Sequence, residues 1–236
     1  MKIEEYKDYR HGLGKFGDYL RYLVSSYPDA ELLELGGGRR PSFRLSEMPG
    51  NIGSYTVNDL SDAELSFLGP EYRKARFDVA GDVSAFENTY DVIFSRFLAE
   101  HVADGQAMHR NVYRLLRPGG VAFHLIPTLY ASPFVANILL PEKLTSRLLI
   151  KYFPYRASAS PKFHAHYSYC YGGSSSKMKN MLKNVGYTGI QIRNFYGHVY
   201  YDKIPVLRDI EHFISAMASR NSAIPYSSYA YLILRK

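Results

Sequence analysis

The sequence has no tryptophan and a single cysteine, Cys170, among 236 residues. One cysteine excludes an intramolecular disulfide and a cysteine-built zinc site, and it suits a reducing compartment, so a cytoplasmic protein is expected. Long apolar runs are missing too. A membrane-crossing helix needs ~20 apolar residues, and the best stretch, 133–153, is broken by Pro141, Glu142, Lys143, Arg147 and Lys151. That stretch is compatible with peripheral contact, as an amphipathic helix lying on a membrane surface. The first ten residues are charged and lack the apolar centre of a secretion signal. Internal repeats and low-complexity tracts are absent.

Acidic side chains are scarce in one half only. Residues 1–118 hold 15 basic and 18 acidic side chains, whereas residues 119–236 hold 14 basic and 4 acidic ones. The net charge of +7 therefore comes entirely from the second half, which also holds 13 of the 22 tyrosines. Such asymmetry assigns the halves different tasks. Apolar residues at 46% exclude a disordered chain. The length suffices for a full core and fits one domain, 1–236, better than two.

The segments alternate. Tyr19, Leu20, Leu23, Val24 and Tyr27 predict a helix over 17–27 that Pro28 ends. Strands are predicted at 31–35, 54–57, 76–80, 90–94 and 121–126, with a helix at 106–116. From 128 to 175 no period holds, and Pro133, Pro141, Pro154 and Pro161 interrupt it. That stretch is too long for an ordinary loop and reads as a lid or substrate insertion. A helix at 176–184 follows, with Gly186 where a C-terminal cap belongs, then a strand at 190–195, a helix at 206–219 and a strand at 229–234. The pattern predicts an α/β fold, a doubly wound, mostly parallel seven-stranded sheet with an inserted lid after strand five. Its parts are an N-terminal helical cap (1–29), a core (30–127), the lid (128–175) and a C-terminal part of the sheet with an inserted helix (176–236). Ligands bind at the carboxyl ends of such strands.

Three features stand at those ends. Gly36, Gly37 and Gly38 follow the first strand, where missing β-carbons let a ligand approach backbone amides. Asp59 follows the second strand, 23 residues after Gly36, near the ~20 expected for a ribose-binding acid. Asp82 ends the third and could reach an adenine amino group. Each alone has a plainer reading: a turn, a helix cap, a turn residue. Their joint order favours a nucleotide site.

These residues carry a resemblance. Glu34-Leu35-Gly36-Gly37-Gly38, Asn58-Asp59-Leu60-Ser61, Gly81-Asp82-Val83, Tyr90-Asp91-Val92-Ile93-Phe94-Ser95 and Tyr113-Arg114-Leu115-Leu116-Arg117-Pro118-Gly119-Gly120 resemble, in order and spacing, the motifs of class I S-adenosylmethionine-dependent methyltransferases. The likeness covers residues 30–127 and implies the Rossmann-like methyltransferase fold. It implies S-adenosylmethionine as cofactor, with Glu34 and Gly36 to Gly38 at its methionine end, Asp59 and Leu60 at the ribose, Asp82 and Val83 at the adenine, and Ser95 near the sulfonium. Arg40 stands where a third alternate glycine often occurs in the family, and the Arg39-Arg40-Pro41 version resembles the Gly-Gly-Gly-x-x-Pro loops of small-molecule and glycan-tailoring members. Some related O-methyltransferases bind a metal through Glu-x-x-Glu-His after strand four. Here Phe97 replaces the first glutamate, and Glu100 with His101 alone makes a poor metal site, so no metal is expected.

The acceptor is read from what surrounds that core. The Asn/Asp-Pro-Pro-Tyr run of base N-methyltransferases is missing after strand four, and Cys170 is misplaced for cytosine C5 chemistry. A nucleic-acid partner is therefore disfavoured. Residues 128–201 carry nine Lys or Arg and one acid, Glu142, with tyrosines that stack on sugar rings and cations that neutralise phosphates or carboxylates. The expected acceptor is an anionic sugar, glycan intermediate or other small molecule, methylated on oxygen. Arg96, Tyr130, Tyr167 and Tyr169 are its candidate contacts, and His166, His164 and His101 the candidate bases. The alternatives are an RNA methyltransferase, whose basic half would track a backbone, and a non-catalytic cofactor-binding subunit.

Overall fold

The computed structural model describes residues 7–128, 166, 176–198 and 205–236, with side chains in the last segment from 208 onward. The expected lid, the 133–153 stretch, and the candidates Tyr130, His164, Tyr167 and Tyr169 lie outside the described residues.

Seven strands, β1 (Ala30–Leu35), β2 (Ile52–Asp59), β3 (Arg73–Arg76), β4 (Tyr90–Arg96), β5 (Leu116–Pro127), β6 (Gly189–Tyr196) and β7 (Ser227–Arg235), form one sheet in the order β3-β2-β1-β4-β5-β7-β6. Strands β1 to β5 pair in parallel, and β7 runs antiparallel between β5 and β6. The helices are α1 (Tyr9–Val24), α2 (Asp62–Ser66), α3 (Gly105–Leu115), α4 (Ser176–Val185) and α5 (Pro205–Arg220). Strand order reverses between β1 and β4, the place where open α/β sheets leave a crevice for ligands.

The central strands are buried on both faces, as parallel strands flanked by helices must be. On one face Leu33, Ile93, Ala122 and Leu232 pack under Met108, Val112, Leu115 of α3 and Met178, Leu182 of α4. On the other, Leu32, Phe94, Phe123 and Tyr231 pack under Phe16, Tyr19, Leu20 and Leu23 of α1. Helix α1 begins eight residues before the expected start, because Asp8 caps it by accepting the Arg10 amide at 2.7 Å. Phe16 stacks on Phe123 with ring centroids 4.5 Å apart, which anchors α1 over the sheet.

Strand β3 differs most from expectation: it spans Arg73–Arg76 instead of 76–80. Phe77 and Val79 are buried as a strand's side chains would be, but side chains take up the backbone acceptors here. Asn58 Nδ2 donates to the carbonyls of Ala75 and Phe77 at 3.0 and 2.9 Å, and Asn111 Nδ2 donates to those of Val79 and Gly81 at 2.9 and 2.7 Å. Two buried amides thus replace a ladder and lay residues 77–81 down as a fixed loop.

Candidate cofactor and acceptor site

The glycine turn follows β1 at the point where the strand order reverses. Gly36 and Gly38 have φ of +70° and +51°, in the left-handed region that favours glycine. Gly37 has its own reason to lack a side chain: a Cβ there would stand 2.6 Å from Val57 Cγ1 and 2.9 Å from Glu34 Cδ. Its amide donates to the Asn58 carbonyl at 3.0 Å, tying the turn to the end of β2.

Glu34 shapes this turn from beneath. Its carboxylate is buried and accepts the Ser42 amide at 3.0 and 3.1 Å, the Ser42 hydroxyl, and the Tyr55 hydroxyl. Burial pushes its carboxyl above the ordinary range, opposed by the Ser42 and Tyr55 hydrogen bonds and by the charge of Arg96. Glu34 thereby also clamps the loop after the glycine turn, returning Ser42 to the sheet. Arg39 closes the same loop from outside, with Nε and Nη2 each 2.6 Å from the Glu64 carboxylate.

Asp59 stands at the carboxyl end of β2. Its Oδ1 accepts the Ser61 amide at 3.0 Å, and Ser61, not Asp59, caps α2. Its Oδ2 faces the glycine turn, 3.0 Å from where a Gly38 Cβ would be. Leu60 beside it is exposed. Asp82 is exposed, accepts the Ser84 amide at 2.9 Å, and has its carboxyl held below the ordinary range by that bond. Val83 next to it is buried in the core. Asn111, on α3, holds the chain just before this pair and was not singled out from sequence; an asparagine inside an otherwise apolar helix face was its only signal.

Strand β4 delivers the remaining candidates. Ser95 is fully buried, its Oγ 2.8 Å from His124 Nδ1 on β5. His124 is a core residue, and burial pushes it down to about 4. Ser95 thus turns its hydroxyl into the layer beneath α3, leaving its backbone at the strand's end. Arg96 is half-buried, its guanidinium 5.3 Å over the Phe16 ring and its Nε buried without a hydrogen-bond partner among the described residues. Phe97 has φ +52°, an uncommon state for a bulky residue and a mark of backbone strain at this strand end.

The turn that follows brings two candidate bases together. Leu98 packs against the glycine turn, its Cδ1 2.8 Å from where a Gly36 Cβ would be. Two residues on, the Glu100 carbonyl accepts the His166 amide at 2.7 Å, so His166 and His101 flank one turn. Glu100, with His101, was read from sequence as too poor a pair to hold a metal. Its carboxyl is buried, with Oε2 lacking a hydrogen-bond partner among the described residues, and burial pushes it up to about 7. Among the described residues no three His, Cys, Asp or Glu side chains gather as a metal site.

The glycine turn with Asp59 opposite fits an adenosyl group carrying an amino acid: left-handed glycines end β1 where the strand order reverses, and a carboxylate faces them from the end of β2. Comparison with known proteins agrees. Residues of a polyketide synthase–nonribosomal peptide synthetase from Pyricularia grisea are 32% identical over 132 residues, covering 47% of this chain and 3% of that protein. The chain thus spans a small fraction of that relative's length. Among solved structures, an S-adenosylmethionine-dependent methyltransferase from Mesorhizobium loti matches with a TM-score of 0.56 and 16% identity, over 93% of this chain and 96% of the other. A phosphoethanolamine N-methyltransferase 2 from Haemonchus contortus, in complex with phosphomonomethylethanolamine and S-adenosylhomocysteine, matches at 0.57 with 15% identity, over 95% and 53%. At these identities the structures establish the shared fold. The family model described as "Methyltransferase domain" matches residues 6–192, and the chain belongs to that family, as a class I methyltransferase whose cofactor is S-adenosylmethionine.

Proposed function

We propose that the chain methylates an oxygen of an anionic sugar or glycan intermediate, or of another small molecule carrying negative charge. S-adenosylmethionine supplies an electrophilic methyl carbon on a positively charged sulfur. The protein's task is to align the acceptor with it, exclude water and remove a proton. The observation that carries the reading is Arg96: a guanidinium at the carboxyl end of β4 whose buried Nε has no hydrogen-bond partner among the described residues. A buried donor without an acceptor is costly, and an anionic group of the acceptor would satisfy it. The basic, tyrosine-rich second half supports the same reading.

His166 and His101 are the proposed proton acceptors, since the His166–Glu100 backbone bond sets both beside one turn. His164, Tyr130, Tyr167 and Tyr169 remain part of the proposal from sequence alone. The reaction is placed in the reducing cytosol, where one unpaired cysteine is stable. The test is an acceptor screen with methyl-labelled S-adenosylmethionine. Phosphorylated, nucleotide-linked and uronic sugars are set against neutral phenols and RNA. Transfer to at least one anionic sugar is expected; transfer to phenols or RNA alone would overturn the reading.

A further inference from the structure

Phe97, which follows Arg96, is held in a state that its side chain resists. Among the described residues the other non-glycine positions with positive φ are Asp29, Asn88 and Ser222, all short and polar. Phe97 is the only aromatic one. Its amide still donates to the Leu125 carbonyl at 3.0 Å, so the left-handed turn begins where β4 stops pairing. The side chain is only partly buried, so burial in the core does not account for the state. Strain of this kind persists only where the surroundings over-determine it.

Tyr229 of β7 supplies that constraint. Its ring meets the Phe97 ring edge to face, with centroids 5.8 Å apart and planes at 69°. Tyr229 is fixed in turn by His198: its Oη lies 2.7 Å from His198 Nε2, and the two rings stack at 5.3 Å and 25°. Both residues are buried, where a phenol or imidazole left without such a partner would be costly. His198 reaches β7 through Gly197, which has φ +94° and where a Cβ would stand 2.7 Å from Tyr9 Cδ1. Only glycine makes that turn without strain.

This assembly stands beside Arg96. Arg96, Leu125 and Tyr231 are in register across β4, β5 and β7. Tyr229 is two residues from Tyr231, on the same face and nearer the carboxyl ends of the parallel strands. Arg96 uses that face as well, with its guanidinium over Phe16 of α1. We propose that His198 and Tyr229 are positioning residues for methyl transfer: they keep Phe97 left-handed, and through it they aim the Arg96 guanidinium at the anionic group of the acceptor. This rests on the proposed grip of Arg96 on the acceptor and names what directs it.

The test reads Arg96 itself, in the full chain and with no acceptor present. In a proton–nitrogen correlation spectrum of the arginine Nε–H groups, the Arg96 signal is identified by its loss in Arg96→Lys. Tyr229→Phe, which keeps the ring and loses the hydroxyl, should move that signal toward those of the exposed arginines, and so should His198→Leu. His198→Gln, which keeps a hydrogen-bonding partner for the phenol, should return it to the wild-type position. Arg117, paired with Asp91 at the amino ends of β4 and β5, should stay in place throughout. In a Phe97→Gly background Tyr229→Phe should have no effect, because glycine holds the left-handed state unaided. With the best anionic sugar from the acceptor screen, Tyr229→Phe should raise KM at least about fivefold, leave kcat and S-adenosylhomocysteine affinity within about twofold, and add nothing to Arg96→Ala. An Arg96 signal unmoved in both Tyr229→Phe and His198→Leu would overturn the proposal. So would equal displacement of Arg96 and Arg117, which would mean that the pair serves the fold in general. If no anionic sugar is turned over, the acceptor reading fails, and the Arg96 spectrum still decides whether His198 and Tyr229 position this guanidinium.

Discussion

Gly38 and Asp59 face each other across the carboxyl ends of β1 and β2, so closely that a β-carbon on Gly38 would stand 3.0 Å from Asp59 Oδ2. The glycine has φ +51° as well, so a side chain there meets two penalties, one conformational and one steric. Gly38→Ala should cost about 1 kcal/mol of stability and weaken S-adenosylhomocysteine binding by at least about tenfold, since a single misplaced polar contact is worth that much. Asp59→Ala should produce the same loss of affinity with nearly unchanged thermal unfolding, because Ser61 caps α2. Titration calorimetry and a melting curve on each variant check both statements.

Asn111 tests whether the loop before Asp82 is held from a distance. Its amide donates to Val79 and Gly81, just before Asp82. Asn111→Ala should destabilise the fold by about 1–3 kcal/mol, the cost of leaving buried carbonyls unpaired. Hydrogen exchange should rise first in residues 77–83, ahead of the sheet. Uniform loss of protection over α3 and the sheet would mean that Asn111 serves the core in general.

Glu100 has a folded-state value raised from 4.5 to about 7, with burial as the main cause. A carboxyl raised on folding is favourable in its protonated form, so its ionisation opposes folding as pH climbs from 4.5 through 7. Glu100→Gln should therefore add about 3 kcal/mol of stability at pH 8 and almost none at pH 4. Denaturant unfolding at the two pH values checks the sign. A stability gain with reduced methyl transfer would mark Glu100 as a group kept for function at a cost in stability.

His124 works in the opposite direction. Burial lowers it from 6.5 to about 4, and its neighbour His109 is lowered as well. A depressed folded value means that stability is fully present above the unfolded value and is lost as pH falls from 6.5 toward 4. The expected loss from His124 is about 3 kcal/mol over that window. His124→Gln should flatten the acid limb of a stability-against-pH curve; an unchanged limb would show that other groups cause it.

Much of this molecule was readable from residue order. The strand–helix alternation and the glycine turn located the sheet and its open end, because buried parallel strands and left-handed turns leave strong compositional marks. The third strand misled because Phe77 and Val79 are apolar and buried, while Asn58 and Asn111, distant in sequence, supply the hydrogen bonds that a neighbouring strand would. Glu34, which the resemblance puts at the cofactor's methionine end, is also held by Ser42 and Tyr55, and those partners were not foreseen. A carboxylate's partners depend on a loop's return path, which no local pattern encodes.

The central claim is that this methyltransferase grips an anionic acceptor through Arg96. The most direct measurement compares wild type with Arg96→Ala on the best anionic sugar from the acceptor screen, with S-adenosylhomocysteine affinity measured alongside. Losing a buried charge-assisted contact should lower kcat/KM by about 10- to 100-fold or more while cofactor affinity stays within about twofold. Unchanged kinetics in Arg96→Ala, or turnover confined to neutral acceptors, would contradict it.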